Sequence, residues 1–310
     1  MRRLLTALAC AVLALALTGC LRFQDSPALS PERSFLHVLD SDLRYTDSGW
    51  PPVEETADLP ILFIHGFGSS LETWELVAPM LCAHRRCVAL DLPGFGLSSK
   101  YEGDYRPEAV VARVLGLLDQ LDLPRVDVVA HSYGCSVALD LARTAPGRVR
   151  RLVLSDGFAY SDQMPWFFAW SRAPGLGEVL FGMFYDQQLD WRLPLSFYDR
   201  DLVSQRMVER ARAALREPGT RAAALAVVRG LDLAEAERHY GALPHRALVI
   251  WGREDAVTPL RYGERLAQHL PRSTFAVLPF AGHFPMVEAP GLYAETVDAF
   301  LVSRSWEDRR

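Results

Sequence analysis

An apolar run over residues 126–130 ends in His131-Ser132-Tyr133-Gly134 and passes at once into a helical pattern. A chain that turns from buried strand to helix through one serine folds back sharply there and holds the hydroxyl out at the top of a sheet. Small residues two before and two after the serine are needed, because larger side chains would collide where the backbone reverses. Gly134 meets this need, and Ala130 stands where glycine is the more usual residue. A serine between small residues is weak evidence by itself; the strand before it and the helix after it give the signal its weight.

The rest of the chain repeats this alternation. Short apolar runs bounded by turn residues predict strands at residues 61–64, 87–90, 149–154, 247–251 and 274–278, with an opening antiparallel pair at 36–39 and 43–46. Amphipathic stretches between them predict helices at 71–82, 107–121, 133–143, 261–269 and 292–302, with Pro107 suited to a first turn. The order implies an α/β fold: a mostly parallel sheet with helices on both faces, whose ligands bind beyond the carboxyl ends of the strands. The regularity lapses between about residues 157 and 239. That segment holds Trp166, Phe167, Phe168, Trp170, Phe181, Phe184, Tyr185, Trp191, Phe197 and Tyr198, too apolar for a solvated linker, and reads as a helical cap inserted into the core of residues 34–156 and 240–310.

Residues 1–19 read as an address. Arg2 and Arg3 precede an apolar run, residues 4–17, too short for a comfortable membrane span, and Leu17-Thr18-Gly19-Cys20 follows. The tetrapeptide resembles a bacterial lipobox, which implies acylation of Cys20 as the first mature residue; a plain secretory signal and an uncleaved anchor are the alternatives. All three export the protein, periplasm-facing or to the cell surface. Leu21 rather than aspartate after the cysteine favours the outer membrane, and residues 20–33 form a tether. Of the 33 basic and 38 acidic residues only Arg2 and Arg3 precede Cys20, so the mature chain is formally −7, held by lipid and not by anionic head groups. That balance and the lack of a basic cluster exclude nucleic acid as a partner. An oxidising compartment permits a Cys82–Cys87 disulfide, with two buried thiols as the alternative, while Cys135 reads as structural behind the serine.

A serine hydroxyl is a poor nucleophile and needs a base within hydrogen-bond reach and a carboxylate to orient that base. His283 follows the last strand and Asp255 the one before, both in loops at the edge where Ser132 emerges. Ser132, Asp255, His283 is the chain order expected of such a hydrolase. Asp156, ending another strand, is the alternative acid; Glu254 would point elsewhere. His65 reads as a loop-shaping residue, and His131 as pointing away along its strand. The eight histidines show no metal spacing, and Gly175-Leu176-Gly177 lacks the strand that a dinucleotide loop requires, so neither metal nor cofactor is expected.

From about Ser34 to Leu301 the chain resembles the α/β-hydrolase fold enzymes with a cap domain. The matches are His65-Gly66-Phe67-Gly68, Asp91-Leu92-Pro93-Gly94-Phe95-Gly96-Leu97-Ser98, the Ser132 elbow, Gly252-Arg253-Glu254-Asp255-Ala256-Val257-Thr258-Pro259, and Gly282-His283. The resemblance implies an oxyanion hole formed by the backbone N–H groups of Phe67 and Tyr133. Related haloalkane dehalogenases and epoxide hydrolases carry aspartate at the elbow, so Ser132 disfavours their chemistry. The expectation is a lipid-anchored serine esterase or lipase-like enzyme for small hydrophobic esters. The same triad also serves C–C bond hydrolases, acyltransferases and perhydrolases, of which the C–C hydrolases are typically cytoplasmic and fit the leader poorly. A binding module without turnover is the reading outside enzymes.

Overall fold

The computed structural model describes residues 34–49, 59–185 and 193–303. The leader, the tether, Cys20 and Trp191 lie outside the described residues, as does the side chain of Phe184.

Eight strands form one sheet in the order β1-β2-β4-β3-β5-β6-β7-β8. They are β1 Phe35–Val38, β2 Ser41–Asp47, β3 Ile61–Ile64, β4 Cys87–Leu90, β5 Val126–His131, β6 Val149–Ser155, β7 Arg246–Gly252 and β8 Ser273–Leu278. β1 and β2 are antiparallel and β2 is antiparallel to β4, whereas every pair from β4 to β8 is parallel. Strands covered on both faces can be apolar throughout, and all four residues of β3 and of β4 are buried. Alternation then sends Leu62 and Ile64 into one core layer and Ile61 and Phe63 into the other.

The first layer holds α1 (Pro107–Gln120) and α2 (Tyr133–Thr144). In α1 the buried residues Val110, Val111, Val114, Leu117 and Leu118 recur at helical spacing, so one stripe faces the sheet. Between β6 and β7 come α3 (Trp166–Ser171), α4 (Leu176–Phe184), α5 (Gln205–Arg216), α6 (Thr220–Gly230) and α7 (Leu233–Glu237). After β7 follow α8 (Arg261–His269) and α9 (Pro290–Val302), the latter covering the second face with Tyr293, Val297 and Leu301. Among the described residues no helix is long and apolar enough to cross a membrane.

The single helix expected over residues 71–82 is instead a 3-10 turn, Leu71–Trp74, and a one-turn helix, Ala78–Leu81. Pro79 has no N–H to donate back to an earlier turn, so a continuous helix cannot run through it and a new one starts just ahead of it, while Asp91 Oδ1 anchors the start of the first turn by accepting the Leu71 N–H at 2.7 Å. Cys82 and Cys87 are joined in a disulfide with Cα atoms 5.7 Å apart, tying this segment to the start of β4, while Cys135 is a free buried thiol.

Candidate active site

Ser132 sits between β5 and α2 with φ 51° and ψ −121°, a left-handed backbone that a side chain adopts only when its surroundings enforce it. Enforcement comes from close packing. A Cβ on Gly134 would lie 2.5 Å from the carbonyl oxygens of Ile64 and His65, and one on Gly66 would lie 3.0 Å from Ser132 Cβ. The small residues around the elbow therefore let β3, the loop after it and the serine turn meet.

His283 Nε2 lies 3.1 Å from Ser132 Oγ, and His283 Nδ1 lies 2.8 Å from Asp255 Oδ2. The ring thus spans the hydroxyl and the carboxylate, and both His283 and Asp255 are buried. Asp255 is held by its own turn: Oδ1 accepts the N–H groups of Val257 at 2.7 Å and Thr258 at 3.0 Å, and Oδ2 accepts Thr258 Oγ1–H at 2.6 Å. Burial pushes this carboxyl upward, but the electrostatic interaction with the His283 ring and the hydrogen bonds from His283 and Thr258 outweigh it and hold Asp255 below the usual carboxylate range.

Asp156 ends β6 and is fully buried, with Oδ1 accepting the Gly252 N–H at 2.8 Å. Burial first, and then the negative charge of Asp255, push it well above the usual range, which favours its neutral form beside Asp255. Of the two acids it is Asp255 that hydrogen-bonds His283. Asp156, Asp255 and His283 present ligand-type atoms within 4.8 Å of one another, yet those of Asp255 and His283 already engage each other. Glu254 Oε2 accepts the Ala281 N–H at 3.2 Å, away from the ring.

The backbone N–H groups of Phe67 and Tyr133 find no acceptor among the described residues. His65 shapes the loop that carries Phe67. Its Nδ1–H donates to Gly66 O at 2.7 Å while Nε2 accepts the Leu92 N–H at 2.9 Å, which requires the neutral ring that its burial favours.

His131 departs from expectation. Its ring does not point away along the strand but packs 4.7 Å from the His283 ring, and Nε2–H donates to His283 O at 2.7 Å. Alternation holds, since His131 follows Val129 on the face where Phe284 packs 4.9 Å away; it is the loop after β8 that brings His283 to this side. Burial, reinforced by the interaction with the neighbouring His283 ring, holds His131 well below the ordinary histidine value, which favours the neutral ring. No spacing rule in the sequence signals this contact.

Ser132 and His283 open into a cavity of about 690 Å³ lined mainly by apolar groups, among them Phe168, Phe197, Met207 and Leu231. This is room for a drug-sized organic molecule. Of the aromatic residues of the inserted segment, Phe168 and Phe197 line the cavity, Phe181 is buried, and Trp166, Trp170 and Tyr198 are exposed.

Sheet order, elbow and cavity define a hydrolase of the α/β class. The chain belongs to the alpha/beta hydrolase family, whose model matches residues 61–296. It is 34% identical over 257 residues to a 2-hydroxymuconate semialdehyde hydrolase of Pseudomonas sp. strain CF600, covering 79% of this chain and 87% of that one. It is 32% identical over 256 residues to a 2-hydroxy-6-oxo-2,4-heptadienoate hydrolase of Pseudomonas putida, covering 79% and 89%. Among solved structures, a thermophilic esterase from Thermogutta terrifontis superposes with TM-score 0.69 at 26% identity, covering 90% of this chain and 97% of that one. A meta-cleavage product hydrolase from Pseudomonas fluorescens IP01 superposes with TM-score 0.73 at 24% identity, covering 86% and 96%, a likeness of fold.

Proposed function

We propose that the protein is a serine hydrolase that cleaves hydrophobic carboxylic esters through an acyl-enzyme at Ser132. The observation that carries this reading is the continuous relay from Ser132 Oγ through the His283 ring to Asp255, opening into an apolar cavity. Ser132 Oγ attacks the ester carbonyl carbon as its proton passes to His283 Nε2, and Asp255 steadies the imidazolium. The oxyanion takes the N–H groups of Phe67 and Tyr133, each worth on the order of 10²-fold or more in rate. Collapse expels the alcohol, which receives the proton from His283. Water activated by His283 then releases the acid and restores Ser132.

The leader sequence supports a further part of the reading: export as a lipoprotein acylated at Cys20 and held on a membrane. The Cys82–Cys87 disulfide supports it too, since such bonds persist in oxidising compartments.

Hydrolysis of a C–C bond beside a ketone is the second reading, and the names of the two Pseudomonas relatives favour it. The test is fluorophosphonate labelling of the full chain with peptide mapping, followed by turnover of p-nitrophenyl esters from acetate to palmitate and of a dienolic ketone. Labelling at Ser132, lost in Ser132→Ala, with turnover of esters is the expected result. Turnover of the ketone alone gives the second reading, and absence of labelling in folded protein overturns both.

A further inference from the structure

The sequence of α3, Trp-Phe-Phe-Ala-Trp-Ser, contains no charged residue, and its only polar side chain, Ser171, is buried. One face packs inward: Phe167 lies 5.4 Å from Phe181, and Phe168 lies 4.9 Å from Phe67, the residue that carries a candidate oxyanion donor. The outward face should be polar if it met only water. Instead Trp166 and Trp170 stand 63% and 59% exposed, one turn apart, with ring centroids separated by 5.2 Å. Ala169 and Ala173 continue the stripe, and Pro165, Pro174 and Leu176 flank it, all exposed. Between residues 163 and 177 the only charge is Arg172, so no carboxylate interrupts the face.

The stripe is continuous with the mouth of the cavity. Pro165, next to Trp166, and Phe168 both line that cavity, and its rim also exposes Leu76, Leu202 and Val257. Tryptophan side by side with small apolar residues suits the boundary of a bilayer, where the ring is buried among lipid and the indole N–H stays with the head groups. The chain outside the structure points to the same occupant. Residues 1–33 hold the apolar run and Cys20 and end at Ser34, the residue before β1. Ser34 O accepts the Tyr45 N–H at 3.0 Å, and Tyr45 pairs with Leu90 at the carboxyl end of β4, so the chain enters β1 level with the sheet end that carries Ser132. The thirteen residues 21–33 extend to about 45 Å, comparable with the diameter of a domain of this size, so a chain held at Cys20 can lay α3 on the same membrane.

We propose that the outer face of α3, centred on Trp166 and Trp170, docks on a phospholipid bilayer and sets the mouth of the Ser132 cavity against it. The docking is independent of the chemistry at Ser132, whereas its use, delivery of lipid-dissolved esters to the serine, rests on the ester-hydrolase reading.

The test uses the full chain reconstituted on phosphatidylcholine vesicles, with dibrominated acyl chains as a contact quencher of tryptophan fluorescence. Among the described tryptophans Trp74 and Trp251 are buried, so of these four the exposed pair is the one a bilayer quencher can reach. The expected result is clear quenching by brominated vesicles that falls by at least half in the Trp166→Phe/Trp170→Phe variant. Equal quenching of the two proteins, or none in either, overturns the proposal. So does a self-associated wild type that the double substitution makes monomeric, which would give the face to a second copy. In a second arm, Trp166→Ser/Trp170→Ser should lose about tenfold or more in hydrolysis of a vesicle-dissolved ester while keeping its rate on soluble p-nitrophenyl acetate. Loss on both substrates in equal measure overturns delivery through this face. Ser132→Ala should abolish both activities and leave quenching intact. Quenching in a wild type with no ester turnover would leave docking standing and remove the hydrolase reading alone.

Discussion

Replacing Asp255 by asparagine tests the division of labour between the two buried acids. The backbone N–H groups of Val257 and Thr258 both point at Oδ1, so the amide of asparagine must turn its oxygen toward them to avoid opposing donors. Its NH₂ then faces Thr258 Oγ1 and His283 Nδ1, where Oδ2 had accepted hydrogen bonds. His283 can meet that donor only by leaving Nδ1 unprotonated, which puts the ring proton on Nε2, 3.1 Å from Ser132 Oγ. A base carrying its proton toward the nucleophile cannot take another. Wrong-tautomer substitutions of this kind cost about 10⁴-fold in kcat, or about 5.5 kcal/mol in the barrier. Asp156→Asn should behave differently, because burial and the charge of Asp255 favour the neutral form of Asp156 and the amide preserves the size of that form; a change of less than about threefold is expected. The assay is kcat/KM on a p-nitrophenyl ester, with melting temperature measured on each variant to show that it is folded. Asp255→Asn retaining more than about a tenth of the activity, together with a loss of about 10³-fold in Asp156→Asn, would refute the reasoning and transfer the role to Asp156.

Three further outcomes are expected. Gly134→Ala places a methyl group 2.5 Å from two backbone oxygens, so it should destabilise by about 1–3 kcal/mol or more, read as a lower melting temperature. Reducing the Cys82–Cys87 bond opens a loop of sequence separation 5 and should cost about 2 kcal/mol, lowering the melting temperature by a few degrees without changing esterase activity; an unchanged melting temperature would oppose this. Lys100, buried with Nζ donating to Gly96 O at 2.6 Å and Ser98 O at 2.8 Å, is brought down by burial to about 8. Its folded value lies below its unfolded one, so the unfolded chain binds more protons between the two and stability should rise with pH from about 8, by at most about 3 kcal/mol. Chemical denaturation at pH 7 and about 9.5 should show the rise in the wild type and its loss in Lys100→Met.

Much of the sheet was readable in the sequence because a strand buried on both faces is an apolar run bounded by turn residues. Residues 61–64 and 87–90 fall within their expected limits for that reason. The nearness of Ser132, Asp255 and His283 was also legible, since each follows a parallel strand and such strands deliver their ends to one edge. Features that depend on contacts far apart in sequence were not. His131 reaches His283 because the loop after β8, 152 residues on, folds over the face on which alternation places it, and periodicity carries no information about that loop. Composition marked the inserted segment as apolar but could not say that Phe168 lines the cavity while Trp170, two residues later, faces outward.

The hydrogen bond from His131 to the carbonyl of His283 closes a ring. Ser132 is joined covalently to His131, His131 holds the backbone of His283, and the His283 side chain returns to Ser132 Oγ. Two loops borne on separate strands, 151 residues apart in sequence, therefore form a closed linkage whose slack is set by two hydrogen bonds. Motion of the β8 loop cannot carry the base away without dragging the elbow or breaking the His131 bond. Alignment of nucleophile and base is in this sense a mechanical property of the linkage, which the inserted segment reinforces where Ser196 O accepts the His283 N–H at 2.7 Å.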